Sequence, residues 1–277
     1  LDSETTVRLG AFLGVFVAMA LWEVSAPRRP LTLGRSWRWP NNLGVAALNA
    51  TLLRVLLPAA AVAVAAAGEF KHWGLFNNLP RVFDSHLPRA AIILSSVILL
   101  DLAIYLQHVM FHAVPALWRV HRMHHADLDF DVTTGARFHP LEIVISMIIK
   151  LAAVAAIGAP PQAVVIFEVV LNATSMFNHS NVRIPLATDR RLRWLVVTPD
   201  MHRVHHSVIR AETNSNFGFN LSWWDRALGT YRAQPERGHL GMTIGLEQFR
   251  DPAELRIDRM LLQPWHGPAG AYPLGRE

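Results

Sequence analysis

Four stretches of this chain are apolar over lengths that suit the hydrocarbon core of a bilayer, and this narrows the possible folds more than any other feature. Val7 to Val24 is apolar apart from Arg8 and Glu23 near its ends, and Leu43 to Ala67 is interrupted only by Asn49, Thr51, Arg54 and Pro58. Ala90 to Phe111 carries Asp101 well inside it, and Leu141 to Phe177 is broken by Gly158, Pro160 and Pro161. Two apolar pieces on either side of such a breaker read as a helical hairpin. Backbone in hydrocarbon has to satisfy its own hydrogen bonds, so the expectation is an all-α integral membrane bundle of about four spanning helices or hairpin equivalents.

Composition agrees. Hydrophobic residues make up 52% of the 277, and the mean hydropathy is +0.24, too apolar for an ordinary soluble domain. The 26 Lys and Arg outnumber the 21 Asp and Glu, but the basic residues are mostly arginines flanking apolar runs, so nucleic acid is not an expected partner. Cysteine is absent, which excludes disulfides, thiolate zinc sites and cysteine-held iron–sulfur clusters; any metal has to be held by His, Asp or Glu. The chain opens at Leu1 instead of Met, which leaves room for a targeting segment upstream.

The connector from Ser25 to Asn42 holds Arg28, Arg29, Arg35 and Arg38 and no acid, whereas Gly68 to Arg89 mixes Lys71, Arg81 and Arg89 with Glu69 and Asp84. The positive-inside rule puts the first in the cytoplasm and the second opposite. Counting spans forward, residues 112–140 and everything after His179 fall on the cytoplasmic side as a His-rich helical cap. The expected division is 1–94 for N-terminal membrane helices and connectors, 95–232 for a histidine-bearing domain that includes the hairpin at 141–178, and 233–277 for a cytoplasmic tail.

The fourteen histidines are not spread evenly; most lie between His108 and His206. His108 and His112 are four apart, one turn up the same helix face, with Asp101 and Tyr105 below them. His121-Arg-Met-His124-His125 and His202-Arg-Val-His205-His206 are two copies of one HxxHH pattern, whose spacings of three and four are expected to bring all three imidazoles of a copy onto one helical face, so that each copy can offer up to three ligands. Eight imidazoles are too many for one ion, so two metals are the economical reading. A single clustered histidine is usually a solvated or hydrogen-bonded residue, but three patterned groups are not explained that way. His179, after the hairpin, is a further expected ligand and His139, before it, a possible one. For each the structural alternative is a hydrogen bond at a helix end. Asp101 is expected to orient a ligating imidazole, and Asp200, beside His202, is a second candidate for that role. His72, His86, His239 and His266 lack companions and read as surface residues.

At these residues the sequence resembles the fatty acid hydroxylase / sterol desaturase superfamily of membrane di-iron oxygenases. The likeness lies in Asp101 through His112, the two HxxHH triplets, Arg137-Phe-His-Pro-Leu-Glu142, Phe177-Asn-His179, Thr198-Pro-Asp-Met-His202, Asn214-x-Asn216-Phe-Gly218 and Trp224-Asp225-Arg226-x-x-Gly229-Thr230. The resemblance implies His108, His112, His121, His124, His125, His179, His202, His205 and His206 as ligands of two iron ions, with zinc able to replace iron on purification. It also implies O₂ as cosubstrate and a lipid-like substrate, fatty acyl, sterol or related, that is hydroxylated or desaturated. The sequence departs from fused members in having no haem-binding cytochrome or flavin-binding motif. Electrons are therefore expected from a separate protein, a ferredoxin or a cytochrome with its reductase. Two rivals stay in view: a zinc-dependent membrane hydrolase, which ordinarily needs a carboxylate within its ligand motif, and a metal-binding or transport protein, whose site usually lies at mid-bilayer.

Overall fold

The computed structural model describes residues 3–57, 60–83 and 87–274. In chain order its longer helices are α1 (Ser3–Ser25), α2 (Arg35–Leu56), α3 (Ala60–Lys71), α4 (Leu75–Phe83), α5 (Arg89–Ala113), α6 (Pro115–His125), α7 (Pro140–Ile157), α8 (Pro161–Asn178), α9 (Leu186–Leu192) and α10 (Pro199–His205). Proline sits at the first or second position of α6, α7, α8 and α10, where its missing N–H costs nothing and its fixed φ suits a helix start. Short helical turns complete the chain, and no β-ladder forms among the described residues beyond isolated bridges.

Segments Thr5–Ser25, Arg35–Leu79, Arg89–Ala113 and Pro140–Ile157 are long and apolar enough to cross a membrane. The second expected run is divided: α2 stops at Leu56, and Leu57 leaves helical geometry at φ −140°, ψ 58° ahead of Pro58, as residues preceding proline tend to. Pro58, Ala59, Asp84, Ser85 and His86 lie outside the described residues. The hairpin forms as expected from α7 and α8, and it turns at Gly158, whose φ of 69° a side chain would resist. A Cβ at Gly158 would also meet the Trp73 carbonyl oxygen at 2.8 Å, so the α3–α4 connection lies directly against this turn.

The bundle therefore has two ends. At one, Gly158 meets residues 73–77, and Arg89 bonds Gln162 on α8 and Glu69 on α3. At the other, the ends of α1, α5 and α8 and the starts of α2 and α7 converge on the cap. Between them Ala65, Leu100, Val154, Ala159, Val164 and Phe167 form an apolar core from α3, α5, α7, α8 and the α7–α8 turn. The outside is apolar too: Leu9, Leu13, Val17 and Leu21 lie four apart along α1 and are all exposed. A continuous exposed apolar stripe on a long helix is the mark of a surface whose solvent is lipid.

The cap consists of α6, the loop at 126–138, α9, α10 and the chain beyond. Buried Arg38 of α2 bonds Asp127 through Nε at 2.8 Å and Nη2 at 2.7 Å and also pairs with Asp131. Glu23 of α1 accepts the backbone N–H groups of Val132 and Asn181, each at 2.7 Å. The two N-terminal helices are thereby fastened to the loops that carry the histidines. The C-terminal segment is built into the same unit: Leu246, Phe249, Ala269 and Tyr272 pack with Trp118 and Ala126, and Leu274 N–H donates to His112 O at 3.0 Å.

Candidate metal centre

Nine histidines from α5, α6, α10, the end of α8 and the residue after α10 meet in the buried interior of the cap. They fall into two groups, His108, His112, His121, His125 and His205 in one, and His124, His179, His202 and His206 in the other. Within each group the available nitrogens all lie within 4.8 Å of one another. The groups touch: the rings of His125 and His206 stack at 4.6 Å between centroids.

Neither HxxHH triplet stays whole. His121 and His125 join the five-membered group while His124 joins the four; His202 and His206 join the four while His205 crosses to the five. Helix geometry explains the exchange. At about 100° per residue, positions i and i+4 differ by about 40°, whereas i+3 and i+4 stand about 100° apart, so the middle histidine faces another way. Each triplet thus contributes to both sites and ties α6 to α10.

The proton positions follow from the outer partners. Nδ1 faces a carbonyl oxygen in His108 (Phe217 O, 2.7 Å), His124 (Arg137 O, 3.1 Å), His179 (Ser175 O, 2.7 Å) and His205 (Ser215 O, 2.7 Å). It faces Glu142 Oε1 at 2.6 Å in His121 and Asn214 Oδ1 at 3.1 Å in His112, where the Asn214 amide is oriented by donating to Tyr272 O. These oxygens only accept, so Nδ1 carries the proton and Nε2 an inward lone pair. The Nε2 atoms of His108 and His121 are 3.2 Å apart, those of His205 and His108 3.0 Å, and those of His179 and His124 3.1 Å.

Lone pair faces lone pair, which repels unless a cation lies between. Imidazole nitrogens about 2.0–2.1 Å from a shared ion would be separated by about 3 Å, as these are. The Nδ1 atoms of His125 and His202, and both ring nitrogens of His206, are buried without a hydrogen-bond partner. Burial, reinforced by neighbouring imidazoles, holds His124, His125, His202, His205 and His206 well below their ordinary protonation range, and burial brings His179 down to about 3. The rings are neutral at physiological pH, the form that binds metal. The donor set fits two metal ions, and neither group includes a carboxylate.

Other expected residues fall elsewhere. His139 is outside both groups: its Nδ1 accepts Leu141 N–H at 3.1 Å as the N-cap of α7, and Nε2 faces Leu261 O at 3.1 Å. Asp101 touches no imidazole; its Oδ2 accepts Trp224 Nε1–H at 2.8 Å and Leu221 N–H at 3.2 Å, because two turns of helix separate it from His108. Asp200 likewise pairs with Arg28 at 3.0 Å and with Arg203. His239, read as a surface residue, is buried, with Nε2 3.5 Å from Asp200. The C-terminal segment folding over α10 encloses it. His72 and His266 are exposed as expected. Sequence reading missed the role of Glu142, the carboxylate that orients a site imidazole; its place just inside a proline-started helix near the histidines was the available signal.

Residues 93–230 match the fatty acid hydroxylase family. The ornithine lipid hydroxylase OlsE of Rhizobium tropici is 29% identical over 148 residues, covering 53% of this chain and 44% of that protein. The alkylglycerol monooxygenase of Xenopus tropicalis is 26% identical over 235 residues (82% and 50%), and the cholesterol 25-hydroxylase of Rattus norvegicus 26% over 190 (66% and 60%). This chain thus spans roughly half the length of the first two of these relatives, 44% and 50%. No solved structure matches it. The match runs from near the start of α5 through both HxxHH triplets and includes all nine clustered histidines, and the chain belongs to the fatty acid hydroxylase family.

Proposed function

We propose that the chain is a membrane di-iron oxygenase that hydroxylates or desaturates a lipid-like substrate, with electrons from a separate ferredoxin or cytochrome partner and with the cap on the cytoplasmic side. The observation that carries this reading is the convergence of inward Nε2 lone pairs in two adjoining groups. In this reading residues 1–94 supply membrane helices, 95–232 the oxygenase unit, and 233–277 a C-terminal cytoplasmic segment. His108, His112, His121, His125 and His205 hold one iron, and His124, His179, His202 and His206 the other.

Bound iron supplies the change of oxidation state that oxidising an unactivated C–H bond with O₂ demands and that zinc lacks. In hydroxylation one oxygen atom enters the C–H bond and the other leaves as water, with two electrons and two protons from the donor. The protein's own residues do the rest. The Nδ1–H donors of His108, His112, His121, His124, His179 and His205 fix the tautomer and direction of those rings, that of His121 by donating to Glu142. Phe217, Phe219 and Phe130 pack on the imidazoles and exclude water. Phe219 also packs against the membrane core, so the apolar approach to the histidines runs from the bilayer side.

The relatives are named for an ornithine lipid, alkylglycerol and cholesterol, and the substrate class proposed here is the lipid-like molecule they have in common. Iron-loaded protein given reductant, a redox partner and a lipid extract should consume O₂ and yield lipids heavier by one oxygen or lighter by two hydrogens. O₂ uptake indifferent to iron, with no altered lipid, would contradict the proposal.

A further inference from the structure

The segment at 217–230 belongs to the cap by sequence yet runs down the side of α5. Phe217 O accepts from His108, Thr230 Oγ1 bonds Tyr105 Oη at 2.8 Å, and Leu221 N–H and Trp224 Nε1 donate to Asp101. Asp101 is eleven residues before His112, about 16 Å down the helix axis and near the midpoint of α5. On its other side the same segment is held by α8: Asn178 Nδ2 donates to Phe219 O at 2.8 Å, and Thr174 bonds Asn220.

A second strip is paired to it. Val197 N–H donates to Asn220 O at 2.9 Å, Trp223 Nε1 donates to Trp194 O at 3.0 Å, and α9 immediately precedes this strip. The outward side chains are large and apolar: Trp194 is 66% exposed, Leu195 53%, Trp223 41% and Leu228 54%. Such a patch in water would be unusual, and tryptophan is enriched where membrane meets water. Exposed Arg183, Arg190 and Arg191 flank it, and Arg226 lies over the Trp194 ring at 4.1 Å. The nearby acids, Asp189 and Asp225, are buried and bonded internally, so the outward charge is positive.

We infer that this surface is seated in the bilayer, with Trp194, Leu195, Trp223 and Leu228 among the acyl chains and Arg190 and Arg191 at anionic headgroups. The inference rests on the reading of α5 as a membrane-spanning helix, since Asp101 sets the depth. The cap then does not stand clear of the membrane; one flank dips into it beside Phe219. A lipid could move from the acyl layer to the histidines without crossing water.

The cysteine-free chain permits a direct test. Single cysteines replacing Leu195, Trp223, Arg190, Leu94 and His266 are spin-labelled in nanodiscs containing anionic lipid, with metal content confirming the fold of each variant. Collisions with O₂ and with a water-soluble nickel chelate are then compared. Labels at 195 and 223 should favour O₂ over the chelate several-fold more than 266 does, with 190 between. Labels at 195 and 223 as open to the chelate as 266 would overturn the inference, as would shielding from both reagents, the signature of a protein partner or a second copy. Leu94, exposed on the opposite half of α5, separates the two readings: if it also meets the chelate, the spanning assignment of α5 fails; if it meets only O₂, a failure at 195 and 223 belongs to this inference alone.

Discussion

Glu142 Oε1 lies 2.6 Å from His121 Nδ1, a carboxylate at the start of α7 holding an imidazole within α6. Both groups are buried. Glu142→Gln keeps the shape and loses the charge. Its expected effect is a loss of about 10- to 100-fold in metal affinity or activity, as for other partners that orient metal-bound histidines. Asp101→Asn should leave metal affinity unchanged and loosen the 217–230 segment. Metal titration of the two variants side by side checks the contrast, which reverses if Asp101 is the orienting carboxylate.

The exchanged triplets make a prediction about stoichiometry. His124→Ala removes a nitrogen from the four-membered group and His205→Ala one from the five-membered group. Each should lower metal content from about two per chain toward about one while the other group keeps its metal. The double variant should lose both. Elemental analysis of detergent-purified protein tests this, and equal loss of both metals in each single variant would count against two separable groups.

The metal-free protein should be acid-sensitive in a predictable direction. His124, His125, His179, His202, His205 and His206 bind protons less readily folded than unfolded. Their neutral state therefore supports the fold fully above the unfolded value of about 6.5, and that support is lost as pH falls below it. Each ring contributes a slope of up to about 1.4 kcal/mol per pH unit. The melting temperature of metal-free protein should drop steeply between about pH 6.5 and 5, and metal should shift the drop to lower pH. A flat profile would contradict the buried neutral rings.

Arg38 tests how α2 supports the site. Its guanidinium bonds Asp127 and Asp131 in a fully buried cluster that also includes Thr134. Arg38→Met takes the ion-pair partner from Asp131 and leaves Asp127 only Arg137, 3.9 Å away, and breaking a buried pair typically costs about 3–5 kcal/mol. The loop at 126–138 should loosen, and with it the Arg137 carbonyl that orients His124. Hydrogen exchange across this loop measures the effect; unchanged protection would mean the cluster is not what orders it.

The sequence made the helices and the gathering of the histidines legible, because apolar run length and HxxHH spacing act locally. His179, an expected ligand, does join the four-membered group. The allocation of imidazoles was implicit in helix angles but became definite only when α6 and α10 faced each other. Asp101 does share a helix face with His108, yet face says nothing of depth, and two turns put it beyond reach. Glu142 serves a residue 21 positions away, a pairing fixed only by how α7 leaves the cap. His239 reads as isolated because what buries it is the fold of the C-terminal segment. Pro58 hinted at the end of α2, but an apolar run reads the same whether or not it is broken.

The nine histidines are proposed to form two metal sites that differ in their ligands. Anaerobic titration of metal-free protein with ferrous iron, read by elemental analysis and X-ray absorption, tests it most directly. Saturation is expected at about two irons per chain with an imidazole-dominated ligand shell, together with restored iron-dependent O₂ consumption in the presence of a reducing partner. Saturation at one iron, or iron bound mainly by carboxylate or solvent oxygen, would contradict it.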